Sequence, residues 1–444
     1  MTIPKASVGV TAEVAAAGSP AAVPGKSVPA IHDAAQQARN LRQVLQDDKQ
    51  RIGCFLGAGC PLGIYDEEGS QSVVLIPAVV ELTKRVADGL HAYDTARGAT
   101  STTFKANWDA LCVECKPADG QDPTVEDVLT ELRTLANRRG STEILGMSKK
   151  DLGELDEKVC ALISVEMRKP LPSYRNSYNR FASWIGGIHR DSPAEIFTPN
   201  YDLLFEQALE QHPLPHFDGF VGSREPWFDL ASIEHDLIPV RWTRLWKLHG
   251  SINWEKKVET VNGNNVTRVV RVSGEAAPGK VMIFPSHLKY DQSRRMPYLA
   301  MLDRLRAFFH GKDAPRLVVC GYSFLDEHLN EVLLDGLRGN RNAQCFALMY
   351  SGLDKHPRVV EYAEKQSNLT VLAWDGAVVG TRVGGYRTGT TGGSEHAPWL
   401  LEEALTGGDP EILHPRSRLG DFHYFALFLE QLCGGGSYDT QRAV

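Results

Sequence analysis

The sequence predicts an α/β fold: a Rossmann-like, mainly parallel sheet carrying a helical insertion. Three observations lead there. Short apolar runs recur along the chain, each passing through a polar loop into a helical pattern. Between 100 and 175 only helical patterns occur. The polar loops all fall where a strand ends, and in open parallel sheets ligands bind at the carboxyl ends of strands.

The first such unit is RIGCFLGAGCPLGI, residues 51–64. Ile52 to Leu56 is apolar and strand-like, and Gly57-Ala58-Gly59 follows at once. Glycine lacks a Cβ, so backbone N–H groups there could approach an anion such as a phosphate. A bare GAG is equally common in tight turns. Residues 31–48 look helical. Ile76-Pro77 opens an amphipathic helix with Val79, Leu82, Val86 and Leu90 on one face, Pro77 being tolerated in a first turn. A second helical face joins Val125, Val128, Leu129, Leu132 and Leu135. Strands are expected at 194–197, before TPNYD; at 245–248, before HGSINW; and at 282–284, before PSHLKY. Further strands are expected at 316–320, before GYSF; at 344–350; and at 369–374, before Asp375-Gly376. Asn262-Gly263-Asn264 marks a hairpin. Helices are expected at 298–309, 357–365 and 421–432. Residues 376–396, rich in Gly and Thr, read as a loop or linker.

Composition narrows the function classes. With 444 residues and a net charge of −7, the chain gives no global reason to expect nucleic-acid binding. The pair Arg294-Arg295 then reads as a surface or partner contact. Eight scattered cysteines suit reduced thiols in a cytoplasmic protein better than a disulfide framework. No run is long and apolar enough to span a membrane, and the first residues lack the basic start and continuous apolar core expected of a secretory signal. Residues 1–30 have few large apolar side chains and are expected to form a disordered arm.

Five strings, in order, resemble the sirtuin fold. GAGCP is similar to the sirtuin GAG-x-S loop, and Ile76-Pro77 to the I-P that follows it. Thr198-Pro199-Asn200-Tyr201-Asp202 resembles T-Q-N-x-D. Lys247-Leu248-His249-Gly250-Ser251 resembles x-L-H-G-S, and Gly321-Tyr322-Ser323 resembles G-T-S. The resemblance spans about residues 50–376. TPNYD-LLFE, LHGS-INW, GYSF-x-D-x-H-x-N and the helix PTVEDVLTEL are wordings of one branch, the sirtuin-like NAD-hydrolysing effectors of bacterial antiphage defence. Deacylases of the family carry two Cys-x-x-Cys pairs for zinc. Only Cys112 and Cys115 are present here, so no metal is expected. GAGCP and the stand-alone domain resemble the partner of a HerA-type ATPase. The chain departs from the pattern at Pro61, where many relatives have Ser. It lacks the deacylase F-R after the loop, and its last 70 residues have no counterpart.

The resemblance implies NAD+ as substrate and cleavage of the nicotinamide–ribose bond through an oxocarbenium-like state. Such a reaction needs a held pyrophosphate, support for developing positive charge, and a placed, deprotonated water. Asn200 is the candidate to orient that water or a ribose hydroxyl; read from its position alone, it would cap the next helix. His249 is the candidate general base. Asp202 would orient Asn200 or a ribose hydroxyl, or simply charge a helix start. Gly57, Ala58, Gly59 and Cys60 would cradle the pyrophosphate. Gly321 and Ser323 would contact phosphate or ribose, with helix capping the alternative for Ser323. Asp375 would lie at the adenine end. Asp326 and His328 read as a solvated helix start.

The expected organisation is therefore an arm at 1–30 and a catalytic domain at 31–376, with the insertion at about 77–190. An extension at 377–444 would carry one helix and serve as an assembly element. The expected activity is NAD+ glycohydrolase in antiphage defence, in a homo-oligomer with a HerA-type ATPase partner. A deacylase using the same site and an NAD- or ADP-ribose-binding scaffold are the alternatives.

Overall fold

In a computed structural model, the described residues are 30–65, 74–98, 103–116, 122–138, 143–261, 263–272, 281–283, 297–310, 314–390, 397–404 and 412–433. Residues 1–29 of the expected arm, the segment 66–72, Asn262, the PSHLKY string at 285–290 and Arg294-Arg295 lie outside them.

A ten-stranded sheet forms the centre. In spatial order its strands are Ala30–His32, Arg382–Tyr386, Gly376–Val379, Leu369–Leu372, Gln344–Leu348, Arg316–Cys320, Ile52–Leu56, Glu195–Thr198, Thr243–Lys247 and His216–Phe217. All pairings are parallel except the two made by Gly376–Val379. Side chains alternate across it. Cys54, Leu56, Ile196, Leu245, Val318 and Cys320 enter one core; Phe55, Phe197, Trp246, Leu317 and Val319 enter the other. Both faces are covered, so these strands carry apolar side chains on both sides rather than on one. The fold class is the expected one.

Register sets the loops side by side. Leu56 pairs with Cys320, Cys320 with Leu348, Leu348 with Leu372, and Thr198 with Lys247. Phe55 pairs with Phe197. The loops that follow these strands therefore leave the sheet along one edge, about 4.8 Å apart from strand to strand.

The insertion consists of the helices Val79–Ala96, Phe104–Glu114, Val125–Asn137, Lys149–Met167 and Ser177–Gly187. Val125–Asn137 and Lys149–Met167 each begin with a capping box, Thr124 with Asp127 and Ser148 with Asp151. Cys112 lies on Phe104–Glu114 and Cys115 is its C-cap residue; burial pushes the two thiols up to about 11 and about 12. The expected hairpin is present: Gly250–Val261 pairs antiparallel with Asn264–Arg271. No helix among the described residues is long and apolar enough to cross a membrane.

Three expectations about the chain ends change. Ala30–His32, read as the end of the arm and the start of a helix, is a strand, and the helix begins at Ala34 with Asp33 as its cap. Residues 376–386, read as a loop, form a hairpin of the main sheet, so the boundary set at 376 falls inside that sheet. The glycines that suggested a loop serve packing: a Cβ on Gly384 would lie 1.7 Å from the Ala30 carbonyl oxygen. The tail helix Phe422–Leu432 is not an accessible assembly element. Phe422, Phe425, Phe428 and Leu429 are buried in the core, and Glu430 pairs with Arg175 and Arg180.

Candidate active site

A cavity of about 370 Å³ opens along the loop-bearing edge of the sheet. Ala58, Asn200, Asp202, His249 and Ser323 all line it, brought together from four strand ends. Its other wall belongs to the insertion, through Val79, Leu82, Thr124, Glu126 and Met167.

Asn200 is held from two sides. Thr198 donates its hydroxyl to the Leu56 carbonyl at 2.7 Å and accepts from the Asn200 N–H at 3.1 Å. The Asn200 side-chain amide then donates to the Gly57 carbonyl at 3.1 Å. Only the NH2 end can face a carbonyl, so Oδ1 is left as the free acceptor. Asn200 is not a helix cap; Leu203 holds that position. Asp202 takes the role of a helix-start acceptor, receiving the Leu204 N–H at 3.0 Å. No hydrogen bond joins it to Asn200. Burial holds its carboxyl above the usual range, a rise the nearby Lys247 only partly offsets.

Beneath this loop, Lys247 is almost fully buried and pairs with Glu206 at 3.1 Å while donating to the Asp202 carbonyl. A buried pair stripped of one partner strands the other charge. Lys247→Met should therefore lower unfolding free energy in urea by about 3–5 kcal/mol.

The glycine loop works differently from the expected cradle. The Gly57 N–H donates to the Cys320 carbonyl at 3.0 Å and the Gly59 N–H to the Gly321 carbonyl at 2.8 Å. Both donors are spent inside the protein. A Cβ on Gly57 would lie 2.4 Å from the Gly321 oxygen, and one on Gly321, whose φ is +66°, would lie 2.7 Å from the Cys60 N. These glycines interlock two loops, leaving Ala58 as the one of the three with its N–H unpartnered among the described residues. Cys60 points into the core, its thiol donating to the Cys320 carbonyl and pushed up by burial. Cys60 and Gly321 are thus structural, not ligand-facing.

The GYSF loop is strained and clamped. Phe324 is buried with φ +57°, a conformation that costs a non-glycine residue about 1–3 kcal/mol. Asn330 holds it, donating to the Phe324 carbonyl and accepting from the Tyr322 hydroxyl, both at 2.8 Å. Ser323 is exposed to the cavity and is not a cap. Asp326 caps the helix Glu327–Gly339 with Oδ1, at 3.0 Å from the His328 N and 3.2 Å from the Leu329 N.

Asp326 is also the chief correction to the sequence reading. It is not solvated: its side chain is 10% exposed, and Oδ2 lies 3.1 Å from His249 Nε2. Burial alone would raise its carboxyl. His249, the Leu329 N–H and His328 together outweigh that and hold it below the usual range. The string GYSF-x-D-x-H-x-N held both Asp326 and Asn330, but nothing in it told which strand end they face.

Asp375 stands apart. It accepts from the Leu353 N–H at 3.0 Å and lines a second recess of about 680 Å³ with Tyr350, Gly352, Trp374, Arg418 and Tyr424. Its strand is two places from Arg316–Cys320, about 10 Å along the same edge. Among the described residues no group of three His, Cys, Asp or Glu side chains could hold a metal ion.

Residues 194–372 match the model of the SIR2-like domain. The matched segment contains Asn200, Asp202, His249, Gly321, Ser323 and Asp326. The glycine loop lies before it and Asp375 just after. Two solved structures are similar at 12% identity: a Sir2 enzyme, covering 72% of this chain and 88% of that one with a TM-score of 0.29, and a Sir2 histidine-to-tyrosine mutant with p53 peptide and NAD, covering 71% and 86% with a TM-score of 0.27. No curated protein matches the chain.

Proposed function

We propose that the chain is an NAD+ glycohydrolase, converting NAD+ and water to nicotinamide, ADP-ribose and a proton. The observation that carries this reading is the meeting of Asn200 and His249, from neighbouring strand ends, in one cavity beside Ala58 and Ser323. Two further features support it. The cavity and the Asp375 recess lie along one row of strand ends, the layout an extended dinucleotide needs, and each has the volume of a small-molecule site. The cavity is also rich in carboxylates, Glu126, Asp127, Asp202 and Asp326 among them, with Arg358 at its side. That field supports the positive charge that passes from the nicotinamide ring, cationic in the ground state, to the ribose as the bond breaks.

In this reading Asn200 Oδ1 orients the attacking water or a ribose hydroxyl, and His249 accepts the proton. The Ala58 N–H, the Ser323 hydroxyl and Arg358 are the groups suited to phosphate oxygens. Asp375 and its recess take the adenosine end. The branch-specific strings support the finer setting: antiphage defence by NAD+ depletion, in a homo-oligomer beside a HerA-type ATPase.

The test is to incubate purified full-length protein with NAD+, with and without the product of its neighbouring gene, and follow free nicotinamide. Release at a rate abolished by His249→Ala is expected. Absence of release in every oligomeric state, with consumption of an acylated peptide instead, would replace hydrolysis by deacylation.

A further inference from the structure

His249 Nε2 and Asp326 Oδ2 are both shut off from solvent, and neither has a formed hydrogen bond. They lie 3.1 Å apart, with the ring N–H turned off the line between them. Two buried polar atoms at that distance, each without a hydrogen bond among the described residues, are natural counter-groups for each other. Catalytic contacts commonly tighten from such geometry when substrate arrives.

The rest of the setting fixes both members. Asp326 Oδ1 is tied to the helix start by two N–H groups, which aims Oδ2. The Tyr322 hydroxyl shares its single hydrogen between Asn330 Oδ1 at 2.8 Å and the Asp326 carbonyl at 3.1 Å. Tyr298 stacks on the imidazole with ring centres 6.4 Å apart. The titratable groups around the carboxylate are His249 from the sheet edge, His328 from the same helix, Tyr298 from the helix Tyr298–Phe309, and Tyr322. Burial keeps both phenols protonated.

We infer that Asp326 is the positioning residue for His249: it fixes the imidazole with its proton on Nε2 and leaves Nδ1 as the proton acceptor. An ionised carboxylate only accepts, so the nitrogen facing it carries the hydrogen. This rests on the glycohydrolase reading for its chemistry. There, Nδ1 takes the proton from the attacking water or from a ribose hydroxyl, and Asp326 balances the imidazolium so formed. Asp326 itself touches no reacting atom.

Asp326→Asn separates positioning from capping. Asparagine is as good an N-cap as aspartate, so the thermal midpoint should hold. Its NH2, however, can donate to Nε2, which drives the ring proton to Nδ1. With NAD+ as substrate, kcat should fall about 100-fold or more while KM stays within about threefold. In 15N-histidine-labelled full-length protein, with the His249 signal assigned by His249→Gln, the wild type should show the proton on Nε2 and the variant on Nδ1. A kcat within about threefold of wild type in the folded variant, or a wild-type ring protonated at Nδ1, overturns the inference. If the wild type releases no nicotinamide, the glycohydrolase reading fails on its own, and the tautomer still decides the pairing. If the variant does not fold, the wild-type tautomer again decides.

Discussion

Nicotinamide release should fall by about 100- to 1,000-fold when Asn200 is replaced by Ala, with the protein still folded. The size of the effect follows from how the side chain is held. Its NH2 is committed to the Gly57 carbonyl, its backbone N–H to the Thr198 hydroxyl, and that hydroxyl to the Leu56 carbonyl. Oδ1 is therefore a fixed acceptor that needs no reorganisation at the moment of reaction, the property that makes a polar group effective in catalysis. Alanine removes it and leaves water to orient itself. Asn200→Asp should be no better: a carboxylate cannot donate to the Gly57 carbonyl, and it would place a second acid beside the buried Asp202. Steady-state nicotinamide release, with circular dichroism as the control for folding, measures both. Full activity in Asn200→Ala would assign the water to another residue.

The second large effect is expected at Gly57. Gly57→Ala should cost about 3 kcal/mol or more in unfolding free energy, because the new Cβ would meet backbone, the Gly321 oxygen and Tyr322 Cα, which cannot move aside cheaply. Activity should fall with it, since Asn200 is anchored to the Gly57 carbonyl. The result discriminates between two uses of the same glycine. A glycine present only to let phosphate approach would tolerate Ala with unchanged stability and a raised KM. Urea unfolding of Gly57→Ala beside Ala58→Gly settles which holds; equal stability of Gly57→Ala and wild type would restore the cradle.

That contrast marks how far the residues could be read in order. The glycine string was visible as a place where backbone comes close to something. What it comes close to is another loop of the same chain, 321–323, reached through strand pairing. Asn200 and His249 were legible because each follows a strand, and parallel strands present their following loops on one edge. The position of Asp326 in the GYSF string was equally visible, but its partner depends on which strand stands opposite, and periodicity carries no information about that.

The sequence by itself determined the order of strand, loop and helix, the insertion between the first two central strands, and the edge on which the chemistry-bearing loops emerge. These are local properties, set by apolar runs, caps and turn residues a few positions apart. Only the tertiary structure decided that Ala30–His32 and residues 376–386 complete the sheet, that the tail helix is core, that Gly57 and Gly59 have already used their N–H groups, and that Asp326 faces His249. Each of those depends on contacts between residues far apart in the chain. Register and burial bring them together, and neither is written in a local pattern.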